Sequence, residues 1–113
     1  MADHITISPA NTAVTIRAGQ IDLGTTRAAL ELREGSYPPV LYIPRADIDM
    51  SRLEKTVRST TCPWKGKASY YSIRSEAGLL ENAVWSYEAP LEAVAGIAGH
   101  LAFYPDKVTL TRQ

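Results

Sequence analysis

The chain has 113 residues, 12 Lys and Arg against 12 Asp and Glu, one Cys and two His, with 45% hydrophobic and 21% charged residues. That length holds one hydrophobic core, so residues 1–113 are read as a single domain, and the ordinary composition excludes disorder. Zero charge balance argues against a nucleic-acid binder working by general electrostatics, and a single thiol excludes an intramolecular disulfide and a four-cysteine zinc site.

Residues 13–18 alternate, with Val14, Ile16 and Ala18 on one face, and Gly19-Gln20 can turn the chain into Ile21 and Leu23. Residues 26–33 place Ala28, Leu30 and Leu32 together against Arg27, Glu31 and Arg33, the pattern of a half-buried strand. Glu34-Gly35-Ser36 is a turn signal, and the apolar run 39–43 lies between prolines, which confines it to a short edge strand. Residues 47–57 do not alternate, and Asp49 or Ser51 can cap a turn of helix, so one short helix or 3₁₀ turn is expected there. Residues 62–66 read as a loop, 67–74 as a strong strand and 75–80 as a hairpin connection in which Gly78 takes positive φ. Residues 82–87 pair back. Pro90 starts a short helix that Gly96 and Gly99 end, and residues 100–104 and 107–111 form a last hairpin around Pro105-Asp106. The sum is a mainly β, compact antiparallel, barrel-like fold of seven or eight short strands with one or two helical turns.

No basic, apolar leader opens the chain, and no uncharged apolar run approaches the roughly 18 residues that span a bilayer. The expected compartment is the cytoplasm, where Cys62 stays reduced. No metal-ligand pair such as C-x-x-C or H-x-x-x-H is present, so neither metal nor other cofactor is expected.

Gly35-Ser36 followed by Asp47-Ile48-Asp49 imitates the layout of a nucleotidyltransferase site, in which the acidic residues bind two magnesium ions. That layout needs a helix between its two parts, and Pro38-Pro39 bars one. Cys62 precedes Pro63 with Lys65 and Lys67 nearby, and ammonium groups favour a thiolate. The aromatic residues carry more. Tyr70 and Tyr71 point to opposite faces of one strand, while Trp85 and Tyr87 share a face of the next, so one of the two tyrosines joins them. Residues 45–67 hold Arg45, Arg52, Lys55, Arg58, Lys65 and Lys67 against Asp47, Asp49 and Glu54, a locally basic stretch.

The run Pro39-Val40-Leu41-Tyr42-Ile43-Pro44-Arg45-x-Asp47 resembles the opening signature of the domain of unknown function 427 family. Thr60-Thr61-Cys62-Pro63-Trp64-Lys65-Gly66-x-Ala68-Ser69-Tyr70-Tyr71, Asn82-Ala83-x-Trp85-Ser86-Tyr87-x-x-Pro90 and Leu101-Ala102-Phe103-Tyr104 continue the likeness in order. Trp64 stands where tyrosine is more usual. The resemblance implies a β-tent fold, shared with B-type methionine sulfoxide reductases and the ligand-binding domain of cereblon. Many β-tent proteins carry zinc on paired C-x-x-C motifs, which this chain lacks. Some members of the family carry a nucleotidyltransferase label, which the proline argument disfavours. The resemblance implies a fold and leaves the activity open.

Two functional readings follow. The first is a module that binds a small molecule or peptide, with Tyr42, Arg45, Lys65, Tyr70, Trp85 and Tyr87 sharing one pocket. The rings would supply stacking area and the cations an anion contact. The second is an enzyme with Cys62 as nucleophile, Lys65 lowering its pKa and Tyr70 or His100 donating a proton. A blander reading makes the aromatic face the interface of a homo-oligomer. Neither nucleic acid nor membrane is expected as a partner.

Overall fold

A computed structural model describes residues 4–113 of the chain; residues 1–3, where a leader was sought, lie outside the described residues. In chain order the strands are β1 (Ile5–Pro9), β2 (Val14–Ala18), β3 (Ile21–Thr26), β4 (Leu30–Glu34) and β5 (Val40–Tyr42). After two 3₁₀ turns (Arg45–Asp47 and Met50–Arg52) come β6 (Leu53–Cys62), β7 (Gly66–Ser75) and β8 (Gly78–Ser86). A 3₁₀ segment (Glu92–Ile97), β9 (Ala102–Phe103) and β10 (Thr109–Arg112) complete the described chain. They form three antiparallel sheets, in the orders β1-β4-β5, β10-β2-β3 and β6-β7-β8-β9. The mainly β class holds, but the described residues carry ten strands rather than seven or eight. The sheets do not join into one closed barrel. Among the described residues no helix is long and apolar enough to cross a membrane.

The central strand β7 is covered on both sides, and this divides the core in two. Tyr71 and Ile73 face one cluster with Val14, Ile16, Ala18 and Leu23 of the β2-β3 hairpin. Ala68 and Tyr70 face the other, with Leu32 and Tyr42 from the first sheet and Val94 and Ile97 from the 3₁₀ segment. Each fully buried aliphatic side chain here contributes about 1.5–3 kcal/mol relative to exposure.

The 3₁₀ turn expected within residues 47–57 is present at Met50–Arg52, capped by Asp49. Three expectations change. From Leu53 onwards the same stretch is strand and belongs to β6. β6 is an edge strand exposed at nearly every position, so it shows no alternation to read. Its side of the pairing with β7 is interrupted by a register shift between Lys55 and Ser59. β1 is a further strand, not expected from the sequence, although Ile5 and Ile7 alternate with exposed Thr6 and Ser8. The strand expected over residues 26–33 is broken, because the Thr26 hydroxyl accepts the Ala28 N–H at 2.9 Å. Ala29 is then buried in place of Ala28. Finally, residues 100–104 and 107–111 do not pair with each other. β9 joins β8 while β10 crosses to β2.

Glycine is required at one close approach. At Gly24 a β-carbon would collide with the backbone carbonyl of Asp47, so only glycine lets β3 lie against the first 3₁₀ turn. Asp49 N–H donates to the Leu23 carbonyl at 2.8 Å and fixes the same contact.

Candidate functional site

Register decides which aromatic residues meet. Tyr70 lies directly opposite Trp85 in the β7-β8 pair, and Tyr42, Tyr70 and Tyr87 share one buried cluster against which Trp85, Tyr104 and Cys62 pack. The Trp85 indole Nε1 donates to the Tyr42 hydroxyl at 3.2 Å, with the rings edge-on at 6.4 Å. Tyr104 lies against the indole at 4.6 Å. Burial pushes the Tyr42 hydroxyl up to about 12 and raises Tyr87 as well. Both therefore stay protonated at neutral pH and are not bases, and the Tyr42 hydroxyl is held as a hydrogen-bond partner of the indole. At Tyr70 burial acts upward but is outweighed by hydrogen bonds from Thr60 and Tyr104 and by the Arg58 guanidinium, which hold the phenol below its ordinary value.

Lys65 joins this cluster. Its side chain is buried, its Nζ lies 5.9 Å from the Tyr87 ring centroid, and it pairs with Glu34 Oε1 at 2.5 Å. The ammonium is thus already neutralised by a carboxylate and is no free anion hook. Its place follows from the tight Cys62-to-Gly66 connection, where Lys65 N–H donates to the Cys62 carbonyl and Lys65 O accepts from Leu91 N–H.

Arg45 does not reach the cluster. It projects to the opposite face of β8 and donates to the Tyr71 hydroxyl at 3.1 Å, to Glu88 at 3.1 Å and to the Gly99 carbonyl at 3.1 Å. Its role there is to tie the first 3₁₀ turn to the end of β8. Glu88 also accepts from Lys55 Nζ at 2.8 Å and from the Tyr71 hydroxyl at 2.5 Å. Burial pushes the Glu88 carboxyl up, but those hydrogen bonds and the Lys55 charge outweigh it and hold the group down at about 2.

Cys62 ends β6, half-buried against the tyrosine cluster. The His100 ring sits instead against the Ala98 carbonyl, at 3.2 Å. The acidic pair of the nucleotidyltransferase-like pattern is absorbed locally. Asp47 accepts from the Thr26 hydroxyl at 2.7 Å, and Asp49 caps the second 3₁₀ turn through Ser51 N–H. Gly35 lies elsewhere, donating to the His4 carbonyl in the β4-β5 turn.

Beside these residues lies a cavity of about 700 Å³. Val40 and Leu41 of β5, Phe103 of β9, and Val108 and Leu110 at β10 form its apolar walls, with Trp85 from the aromatic cluster. Tyr37, Pro38, Pro39 and Pro105 form the rim, and Glu34 is its acidic corner. Of the six residues read from the sequence as pocket-forming, only Trp85 lines it. Tyr42 and Lys65 stand behind it, through the indole and through Glu34. The wall residues carried no signal of their own. They are ordinary apolar strand residues, brought together because β9 and β10 diverge into different sheets.

The class defined by fold and site is a small antiparallel β domain with a ligand-sized apolar cavity at the meeting of three sheet edges. Residues 6–113 match the family model described as Domain of unknown function (DUF427), and the chain belongs to that family. No curated protein matches the sequence.

Proposed function

We propose that this protein is a binding module whose ligand, a compact apolar or aromatic group, sits against Trp85 in the cavity between β5, β9 and β10. The observation that carries this reading is the cavity itself. Its volume of about 700 Å³ and its apolar lining suit a small organic ligand. One indole is half-exposed there and held in orientation by Tyr42 and Tyr104. Pre-orientation of that kind lowers the entropic cost of binding. The acidic corner, Glu34, is already paired with the buried Lys65, so the cavity carries no unpaired charge there and favours a neutral ligand.

The test is titration with N-phenyl-1-naphthylamine, a neutral dye that fluoresces on entering apolar sites. Saturable enhancement is expected for the natural chain. Leu110→Trp, which fills the cavity from a half-exposed wall position, is expected to weaken it by about tenfold or more while the melting temperature stays close to that of the parent. Enhancement that never saturates, or that Leu110→Trp leaves unchanged, would contradict the reading.

A further inference from the structure

Six of the residues that line the cavity carry stiff rings: Tyr37, Pro38, Pro39, Trp85, Phe103 and Pro105. A proline side chain has no rotamers to lose on contact, and a phenyl or indole ring has few, so such walls meet a flat, rigid ligand at low entropic cost. Phe103 is buried in the sheet, and Trp85 is held by Tyr42 and Tyr104.

Tyr37 is different. It is 73% exposed, at the rim. Each of the other five tyrosines lies within range of a ring or a cation: Tyr42 and Tyr104 beside Trp85, Tyr70 under Arg58, Tyr71 under Arg45 and Tyr87 under Lys65. The Tyr37 ring meets neither an aromatic ring nor a cation among the described residues. Its backbone, by contrast, is fixed from both sides. Gly35 takes a φ of +54°, and Tyr37 N–H donates to the Glu34 carbonyl at 3.0 Å. Pro38 holds the residue before it in extended backbone. The turn therefore sets where Tyr37 stands, while χ1 and χ2 of its exposed side chain are free to change rotamer.

Resting on the cavity reading above, we infer that the ligand class is a flat, neutral aromatic compound, and that Tyr37 is the residue that selects it by closing its ring over the ligand at the mouth. Trp85 supplies the inner aromatic contact and Tyr37 the outer one. Aromatic pairs in offset or edge-to-face contact gain more than their buried area alone supplies. A saturated ligand with the same carbon skeleton gains the area without that extra attraction. Discrimination between the two therefore resides in the rings that touch the ligand. Of these, Tyr37 is the one whose removal leaves the core intact, because it is the exposed one.

The test compares naphthalen-2-ylmethanol with its fully saturated counterpart, decahydronaphthalen-2-ylmethanol, as competitors for bound N-phenyl-1-naphthylamine on the full chain. Both are neutral alcohols with one carbon skeleton, so they differ in ring character and not in charge. The naphthyl alcohol is expected to compete better by about threefold or more. Tyr37→Leu should cut that preference by about twofold or more, through weaker binding of the naphthyl alcohol, and Tyr37→Phe should keep it. Melting temperatures of both variants should stay at the parent's. A smaller preference in the parent chain, or one that Tyr37→Leu leaves unchanged, would overturn the proposal. If the dye binds saturably and neither alcohol displaces it, the aromatic class falls and the cavity reading stands. If the dye does not bind saturably, both fall.

Discussion

Single side chains in this protein are legible from sequence by type, and by role only once their face is known. Arg45 and Lys65 were grouped as anion contacts because both are basic and both border aromatic runs. The structure spends each on a carboxylate, Glu88 and Glu34 respectively. The Glu88 knot gives a pH prediction with a definite sign. Its carboxyl titrates near 4.5 when unpaired and at about 2 in the folded chain. Its stabilisation is therefore complete above pH 4.5 and is lost as pH falls toward 2. Glu88→Gln is expected to destabilise the protein by about 1 kcal/mol at neutral pH, a figure discounted because the side chain is partly exposed. The gap between variant and parent should close in melts run between pH 4.5 and 2. A gap that stays constant across that range would show that the charge of Glu88 is not what stabilises. Cys62 belongs to the same scale. It is a small half-buried residue beside the tyrosines, and the ammonium that was to activate it is bound to Glu34.

At the scale of elements, two-residue periodicity made most strands readable. β2, β7 and β8 alternate or carry adjacent aromatics and were found; β1 alternates over too few residues to stand out, and β6 is a solvent-facing edge with no buried face to mark it, following a capped turn that does form. The contact between β3 and the first 3₁₀ turn also has a sequence mark, Gly24, but its meaning needs the fold. Gly24→Ala forces a β-carbon onto the Asp47 carbonyl and is expected to cost about 2 kcal/mol or more, visible as a lower denaturant midpoint. The pairing of β5 with β9 stops at the Ile43–Leu101 bridge and makes a sharper claim. Pro39→Val together with Pro105→Val restores two N–H donors four residues outward from that bridge on each strand. Pairing should then extend outward, with a gain of roughly 1 kcal/mol per new bond and about a tenfold loss of N-phenyl-1-naphthylamine affinity. Unchanged dye binding in the double variant would mean that the prolines do not limit that pairing.

For the whole molecule, the count of one cysteine and balanced charge excluded more than it assigned, and the family likeness supplied the fold. The candidate site was legible only in part. Trp85 was singled out as an aromatic on the right face, and it does line the cavity. The walls from β5, β9 and β10 were hidden, because local turn signals suggested that residues 100–111 fold back on themselves as a hairpin. In the fold they part at Pro105, one strand to each of two sheets, and the cavity lies between. Non-local pairing of that kind has no local sequence signature. The most direct measurement is amide hydrogen exchange, residue by residue, on the unliganded chain. A pairing that ends at the Ile43–Leu101 bridge, with the cavity beyond it, predicts protected amides at Ile43 and Leu101 and amides at Leu41 and Phe103 that exchange about two orders of magnitude faster or more. Equal protection at all four positions would mean that β5 and β9 pair past the bridge, and would contradict the cavity on which the functional reading stands.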